Sequence, residues 1–313
     1  MAFVRIPGNE VPNGAEEHWL EGRGGISFRV LTAPAFAGRP RGSVILCPGR
    51  TEFIEKYFEV IAELQHRGFN VMCIDWRGQG LSSRELGNAQ KGHFNSFEDP
   101  VTDLFTAVKS LEAYLPRPYI CLAHSMGGAI ALRTMQYRRV DFDGAVFCAP
   151  MWAIKHLGGF AKKYARFVTA LGAGGTYAPG VTHRWKREGY RNNPVTNDEE
   201  RHARTQALVE ADRNLALAGP TIGWVSAALD ATDEFLFPNA LSHLRFPIVV
   251  ISASADAFVD NRRHDQIVAL LPNAKHVTIQ GAKHEIMMET DERRAQFWAA
   301  FDEVADAAAP PPG

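Results

Sequence analysis

Six short runs of apolar, strand-prone residues recur along the chain, with helical periodicity between them. The runs are Ser43–Cys47, Asn70–Asp75, Tyr119–Ala123, Gly144–Ala149, Ile248–Ser252 and Lys275–Gln280. Their apolar residues are continuous rather than alternating, as in strands covered on both faces of a parallel sheet. Two earlier runs, Glu16–Leu20 and Ile26–Thr32, alternate more and are separated by Glu21-Gly22-Arg23-Gly24-Gly25. They read as an antiparallel hairpin at the sheet edge. Helices are expected over Phe53–Arg67, with Tyr57, Phe58, Ile61 and Leu64 on one stripe and Gly68 as the stop. A second helix follows Ser96 as cap, with Asp99 closing a capping box and Pro100 in the first turn. Others are expected over Met126–Arg138, Ile267–Leu271 and Asp291–Val304. This alternation predicts an α/β chain: a mostly parallel eight-stranded sheet with helices on both faces.

The alternation breaks after Pro150. Residues 151–238 carry helical and loop patterns without a convincing strand, and Phe246-Pro247 then leads into a new buried strand. The expected organisation is a core of residues 1–150 and 239–313, with a helical cap of residues 151–238 over the sheet end where open α/β folds bind ligands. The last residues, Ala307 to Gly313, read as a disordered tail.

Composition removes several alternatives. A net charge of −1 provides no global field to recruit nucleic acid. The N-terminus shows no apolar segment of the secretory type, and no apolar run is long enough to span a bilayer. Cys47, Cys73, Cys121 and Cys148 lie in or at the end of separate apolar runs with no CxxC, as expected of reduced core residues in a cytoplasmic protein. Gly78-Gln-Gly80 follows a strand, but Ser83 stands where a dinucleotide fingerprint needs its third glycine. His284-Glu285 begins like a zinc helix, but Met288 breaks the pattern. No cofactor and no metal are expected.

The chemistry concentrates at Ala123-His124-Ser125-Met126-Gly127, a small-x-Ser-x-Gly sequence between a buried strand and a helix. A serine in so tight a strand-to-helix turn is lifted clear of the sheet and set at a helix N-terminus, where developing negative charge is favoured. Ser125 is therefore the expected nucleophile. The N–H of Met126 is one expected oxyanion donor; the N–H of Arg50, in the Cys47-Pro48-Gly49-Arg50 loop after an earlier strand, is the other. In chain order the acid follows the nucleophile and the base comes last. His284, after the last strand, is the expected base, and Asp256, past Ile248–Ser252, is the expected acid that orients it. Asp260 is the alternative acid, although it is also well placed to cap the next helix. His124 is expected to point away from the nucleophile and to be structural.

Several segments resemble one family: Cys47-Pro-Gly-Arg-Thr-Glu52, Asp75-Trp-Arg-Gly-Gln-Gly-Leu-Ser82, Ala123-His-Ser-Met-Gly-Gly128 and Phe258-Val-Asp-Asn-Arg262. They are similar to the lysophospholipase L2 and monoacylglycerol lipase group of S33-type serine hydrolases, over about residues 40 to 300. Val181-Thr-His-Arg-Trp185, Tyr190-Arg-Asn192 and Gly219-Pro-Thr-Ile-Gly-Trp-Val225 extend the likeness through the cap. The resemblance implies the α/β-hydrolase fold and cofactor-free hydrolysis of the ester of a monoacyl lipid. The same triad also serves general carboxylesterases and S33-type aminopeptidases.

Ile154, Leu157, Ala161, Tyr164, Phe167, Val168 and Leu171 fall at helical spacing with basic residues between them. Residues 151–191 carry eight Lys or Arg against one acid, and residues 195–234 carry eight acids against three Arg. The basic half is expected either to approach an anionic lipid surface, peripheral to the inner membrane, or to pack on the core with its charges solvated or paired to the acidic half. Met151, Trp152, Phe160 and Trp224 are the candidate lining of an acyl pocket.

Overall fold

The computed structural model describes residues 3–36 and 38–311. Eight strands form one sheet: β1 (Glu16–Gly22), β2 (Ile26–Ala33), β3 (Gly42–Cys47), β4 (Phe69–Ile74), β5 (Tyr119–His124), β6 (Gly144–Cys148), β7 (Ile248–Ala253) and β8 (Ala274–Ile279). Their spatial order is β1-β2-β4-β3-β5-β6-β7-β8. β1 pairs antiparallel with β2, and β2 with β4; every other pairing is parallel. Every residue of β3, β5, β6 and β7 is buried. Successive side chains point to opposite faces, so both faces of these strands are covered. Edge strand β1 alternates between exposed and half-buried residues, as the sequence pattern requires of a one-sided hairpin.

The helices are α1 (Phe58–His66), α2 (Glu98–Ser110), α3 (Met126–Gln136), α4 (Gly159–Ala170), α5 (Glu199–Ala211), α6 (Ile222–Glu234), α7 (Asn261–Val268) and α8 (Asp291–Ala308). A 3-10 turn over Ile54–Tyr57 precedes α1. Ser96 Oγ accepts from the Glu98 N–H at the head of α2 (3.1 Å). The expected helix at Ile267–Leu271 instead begins at Asn261, because Asp260 caps it by accepting from the Arg262 N–H (3.1 Å). The tail also departs from expectation: α8 runs to Ala308 and Ala309 is buried, while Pro312 and Gly313 lie outside the described residues.

Register brings the functional loops together. Cys47 pairs with Ala123, His124 with Cys148, and Cys148 with Ile251, so the carboxyl ends of β3, β5, β6 and β7 share one rim. Between β6 and β7 the chain forms α4, α5 and α6; one isolated bridge joins Tyr177 to Thr221 within this stretch, and a second ties Ile154 to Val259 after β7. All four cysteines are buried and unpaired. Among the described residues no helix is long and apolar enough to cross a membrane.

Candidate active site

Ser125 sits between β5 and α3 with φ 49° and ψ −118°, a backbone conformation rare for a residue with a side chain. Packing allows the turn only because its neighbours are glycine. A Cβ on Gly127 would lie 2.1 Å from Cys47 O and 2.4 Å from Pro48 O. One on Gly128 would lie 2.7 Å from Pro150 Cβ. Ala123 at the start of the motif is fully buried and is accommodated in β5 without disturbing the turn.

His284, in the loop after β8, lies with Nε2 2.9 Å from Ser125 Oγ and Nδ1 2.7 Å from Asp256 Oδ2. All three side chains are largely buried at the shared rim. Asp256 Oδ1 accepts from the N–H groups of Phe258 (2.7 Å) and Val259 (3.0 Å), which fixes the carboxylate. Burial would raise its pKa, but the hydrogen bond and charge of His284, with the two backbone donors, hold it below the ordinary aspartate value. The alternative acid, Asp260, is turned away to cap α7 and pair with Arg262 (2.7 Å).

Among the described residues the N–H groups of Arg50 and Met126 have no protein acceptor. The Arg50 loop is held from beneath. Gln79 Nε2 donates to Gly49 O (2.7 Å) and Glu52 O (3.2 Å), Gln79 Oε1 accepts from the Thr51 N–H (3.3 Å), and Trp76 Nε1 donates to Pro48 O (2.7 Å). This is the physical work of the Asp75–Ser82 segment that the sequence singled out only by likeness.

His124 has partners that its position beside the nucleophile does not reveal. Its ring does leave the nucleophile, but it packs beside the His284 ring with centroids 4.9 Å apart. Its Nε2 donates to His284 O (3.1 Å) and its Nδ1 to Glu52 Oε2 (3.0 Å). Both ring nitrogens face acceptors, so the imidazolium form is the one fully satisfied. Burial disfavours that cation, yet the Glu52 charge and hydrogen bond raise the His124 pKa above the ordinary value. Glu52 also accepts from Gly49 N–H, Lys56 Nζ (2.8 Å) and Tyr57 OH (2.6 Å). Lys56 reaches Glu285 at 2.6 Å as well. Burial would raise the Glu52 pKa, but His124 and Lys56 hold it well below the ordinary range. Glu52 was marked only by the likeness of its segment and Glu285 only by a broken zinc pattern, and nothing in the pattern brings them to Lys56, because their meeting is set by tertiary packing.

A cavity of about 260 Å³ opens over Ser125, lined mainly by Met151, Ile154, Val195, Pro220, Trp224, Phe258 and Val259. Met151 and Trp224 are thus at the expected place. Trp152 and Phe160 are not. Trp152 is 0% exposed and its Nε1 donates to Gly128 O (3.2 Å), so it buttresses the elbow from within. Phe160 is 86% exposed on α4 and faces solvent. Lys162 and Arg166 lie on the side of α4 that faces α6 and pair there with Asp230 and Asp233, so the stripe that carries Phe160 and Phe167 is on the opposite, solvent side. Phe258, unremarked in the pattern, packs on His284 at 5.1 Å between ring centroids. The segment Phe258–Arg262 was its only sequence signal. Among the described residues no cluster of side chains is arranged to hold a metal ion.

Residues 38–291 match the family model described as serine aminopeptidase, S33. The chain is 32% identical over 271 residues to lysophospholipase L2 of Escherichia coli, covering 80% of this chain and 76% of that one. It is 29% identical over 276 residues to a probable lysophospholipase L2 of Haemophilus influenzae, covering 86% and 84%. A solved monoglyceride lipase from Saccharomyces cerevisiae superimposes with a TM-score of 0.72 at 18% identity, covering 93% of this chain and 96% of that one, and shares the α/β-hydrolase fold.

Proposed function

The chain belongs to the S33 serine aminopeptidase family of hydrolases, and we propose on that premise that it cleaves the carboxylic ester of a monoacyl lipid through an acyl-enzyme. The observation that carries this reading is the hydrogen-bonded series Asp256, His284, Ser125 beneath an apolar cavity. Ser125 Oγ attacks the ester carbonyl carbon while His284 Nε2 takes its proton. His284 Nδ1–H donates to Asp256, which stabilises the imidazolium. The N–H groups of Arg50 and Met126 receive the oxyanion. Collapse breaks the ester bond, and the leaving alcohol takes the proton from His284. Water, deprotonated by His284, then attacks the acyl carbon; the bond to Ser125 Oγ breaks, Oγ takes the proton back from His284, and the fatty acid leaves.

A family description that includes aminopeptidases favours a second reading, an amide substrate with a free amino terminus. Such a substrate needs an unengaged carboxylate near the nucleophile. The acids of the cavity, Glu52 and Glu285, are both engaged by Lys56, which supports the ester. The test is activity of wild type and Ser125→Ala on a lysophospholipid, a monoacylglycerol, p-nitrophenyl esters and aminoacyl amides. The variant is expected to keep no more than a ~10⁻³ fraction of activity. Turnover of the amides in preference to every ester overturns the reading.

The segment of residues 151–238 is read as the cap, and the reduced cysteines support a cytoplasmic setting. Exposed Phe160 and Phe167 on α4, with Leu171 just past its end, support peripheral contact with a bilayer. Wild type is expected to sediment with vesicles of phosphatidylethanolamine and phosphatidylglycerol, and Phe160→Glu/Phe167→Glu to stay in the supernatant. Equal sedimentation of the two removes α4 from any contact.

A further inference from the structure

Arg50 has a side chain that the reaction above does not use. Its backbone N–H serves the oxyanion, but its guanidinium extends to the wall shared by the apolar cavity over Ser125 and a second cavity of about 320 Å³. Among the described residues the buried arginines have carboxylate partners: Arg29 has Glu55 and Asp75, Arg77 has Asp103, Arg133 has Glu98 and Glu234, and Arg294 has Glu59 and Glu63. Arg50 is partly buried, as is Arg263, whose Nη1 also lacks an acceptor but lines neither cavity. Arg84 lacks an acid, but its donors reach the carbonyls of Ala89, Ser82, Gly80 and Asn214. Arg50 has neither kind of compensation. Among the described residues no carboxylate pairs with it, and its one protein acceptor is Ala218 O (2.9 Å). Its Nε is buried without an acceptor, and its Nη1 makes no hydrogen bond to protein.

The guanidinium is also fixed in orientation, 5.2 Å over the Trp224 ring. Burial, opposed only by Tyr177, lowers its pKa to about 10, so it remains a cation at neutral pH. A desolvated cation without a counter-ion destabilises a fold unless an anion arrives to satisfy it. The second cavity provides room for that anion; its lining offers the donors Thr182, Thr205, Gln206 and Lys56, with the carboxylates Glu188 and Glu285 also on its wall.

We infer that the Arg50 side chain recognises the phosphate of the substrate's head group, so that the site is built for lysophospholipids rather than uncharged monoacylglycerols. The acyl chain lies in the apolar cavity, the ester at Ser125, and the phosphate on the far side of Arg50. A guanidinium suits this task because its planar fork presents parallel donors to phosphate oxygens.

This inference rests on the monoacyl-ester reading. Full-length wild type and Arg50→Met are assayed on 1-palmitoyl-lysophosphatidylcholine and 1-monopalmitoylglycerol, which share chain and ester. The ratio of kcat/KM for the first over the second is expected to fall at least about tenfold, as loss of a charge-assisted hydrogen bond implies, with partial recovery in Arg50→Lys. An unchanged ratio overturns the inference. The intact wild type gives a second measurement: inhibition of p-nitrophenyl butyrate turnover by hexyl phosphate, 1-O-hexylglycerol and inorganic phosphate. Hexyl phosphate is expected to compete at least about tenfold better than either of the others. Equal potency of hexyl phosphate and hexylglycerol removes the phosphate contact. Equal potency of inorganic phosphate makes this a free-anion site and removes the head-group assignment. A wild type that cleaves p-nitrophenyl butyrate but neither lipid sinks the lipid-ester reading instead, and the inhibition series still decides the anion site.

Discussion

Glu52→Gln is nearly isosteric, yet it strikes a buried cluster of charges beside the nucleophile. Glu52 is 2% exposed. Its Oε2 accepts from Gly49, Tyr57 and His124, and its Oε1 from Lys56. A glutamine has one acceptor oxygen. If that oxygen serves the first three groups, the new amide NH₂ faces the Lys56 ammonium, donor against donor. His124 loses its hydrogen-bonded counter-charge and keeps only the more distant Glu285, while Lys56 keeps Glu285 at 2.6 Å. Breaking a buried ion pair from one side costs about 3–5 kcal/mol, and the surviving Lys56–Glu285 pair puts this case near the lower end, about 3 kcal/mol. At 2–4 °C per kcal/mol that corresponds to a Tm lower by roughly 6–12 °C.

The loss should depend on pH with a definite sign. The folded His124 pKa is raised, so its contribution is fully present below the unfolded value of about 6.5 and disappears as pH rises through the folded value. The folded Glu52 pKa is depressed, so its contribution is present above about 4.3 and disappears as pH falls through the folded value. Urea unfolding of both proteins, followed by tryptophan fluorescence between about pH 5.5 and 8.5, reads the difference. The gap is expected to be widest at the acid end. A gap below about 1 kcal/mol, or one flat across the range, would show that Glu52 and His124 are not an ion pair and would refute the reasoning.

Two further outcomes follow from the loops around the nucleophile. Gly127→Ala forces a methyl against the carbonyls of Cys47 and Pro48, both backbone, and should cost about 3 kcal/mol or prevent folding; a soluble variant with wild-type Tm and activity would contradict the packing described. Gln79→Ala removes the bonds to Gly49 O, Glu52 O and the Thr51 N–H, so kcat should fall about tenfold or more with little change in KM; a change confined to KM would mean that the loop does not serve the oxyanion.

The core strands were legible to within a residue or two because burial on both faces leaves an unbroken apolar run with sharp ends. Ser125, Asp256 and His284 were legible because each occupies a loop that directly follows one of those strands. The helical segment was less so. Periodicity identified an apolar stripe on α4 but not its direction, which the pairing of Lys162 and Arg166 with acids about seventy residues downstream shows. Trp152 was misread for a related reason: a large aromatic beside the elbow fits an acyl wall or an internal buttress equally well by sequence, and its bond to Gly128 O selects the buttress. Spacing turned His124 away from the nucleophile correctly, but could not reveal that the returning His284 loop meets it on the other side.

The catalytic groups emerge from strand ends locked into the buried sheet, whereas Met151, Ile154, Val195, Pro220 and Trp224 reach the cavity from the connection between β6 and β7. The proton relay and much of the acyl-chain wall therefore reside in separate stretches of polymer, while Arg50 after β3 and Phe258 and Val259 after β7 line the cavity from the catalytic loops themselves. Mutations in the connecting stretch can remodel what is admitted while the proton relay stays in register, so a lineage built on this scaffold can explore new esters without first surrendering its rate.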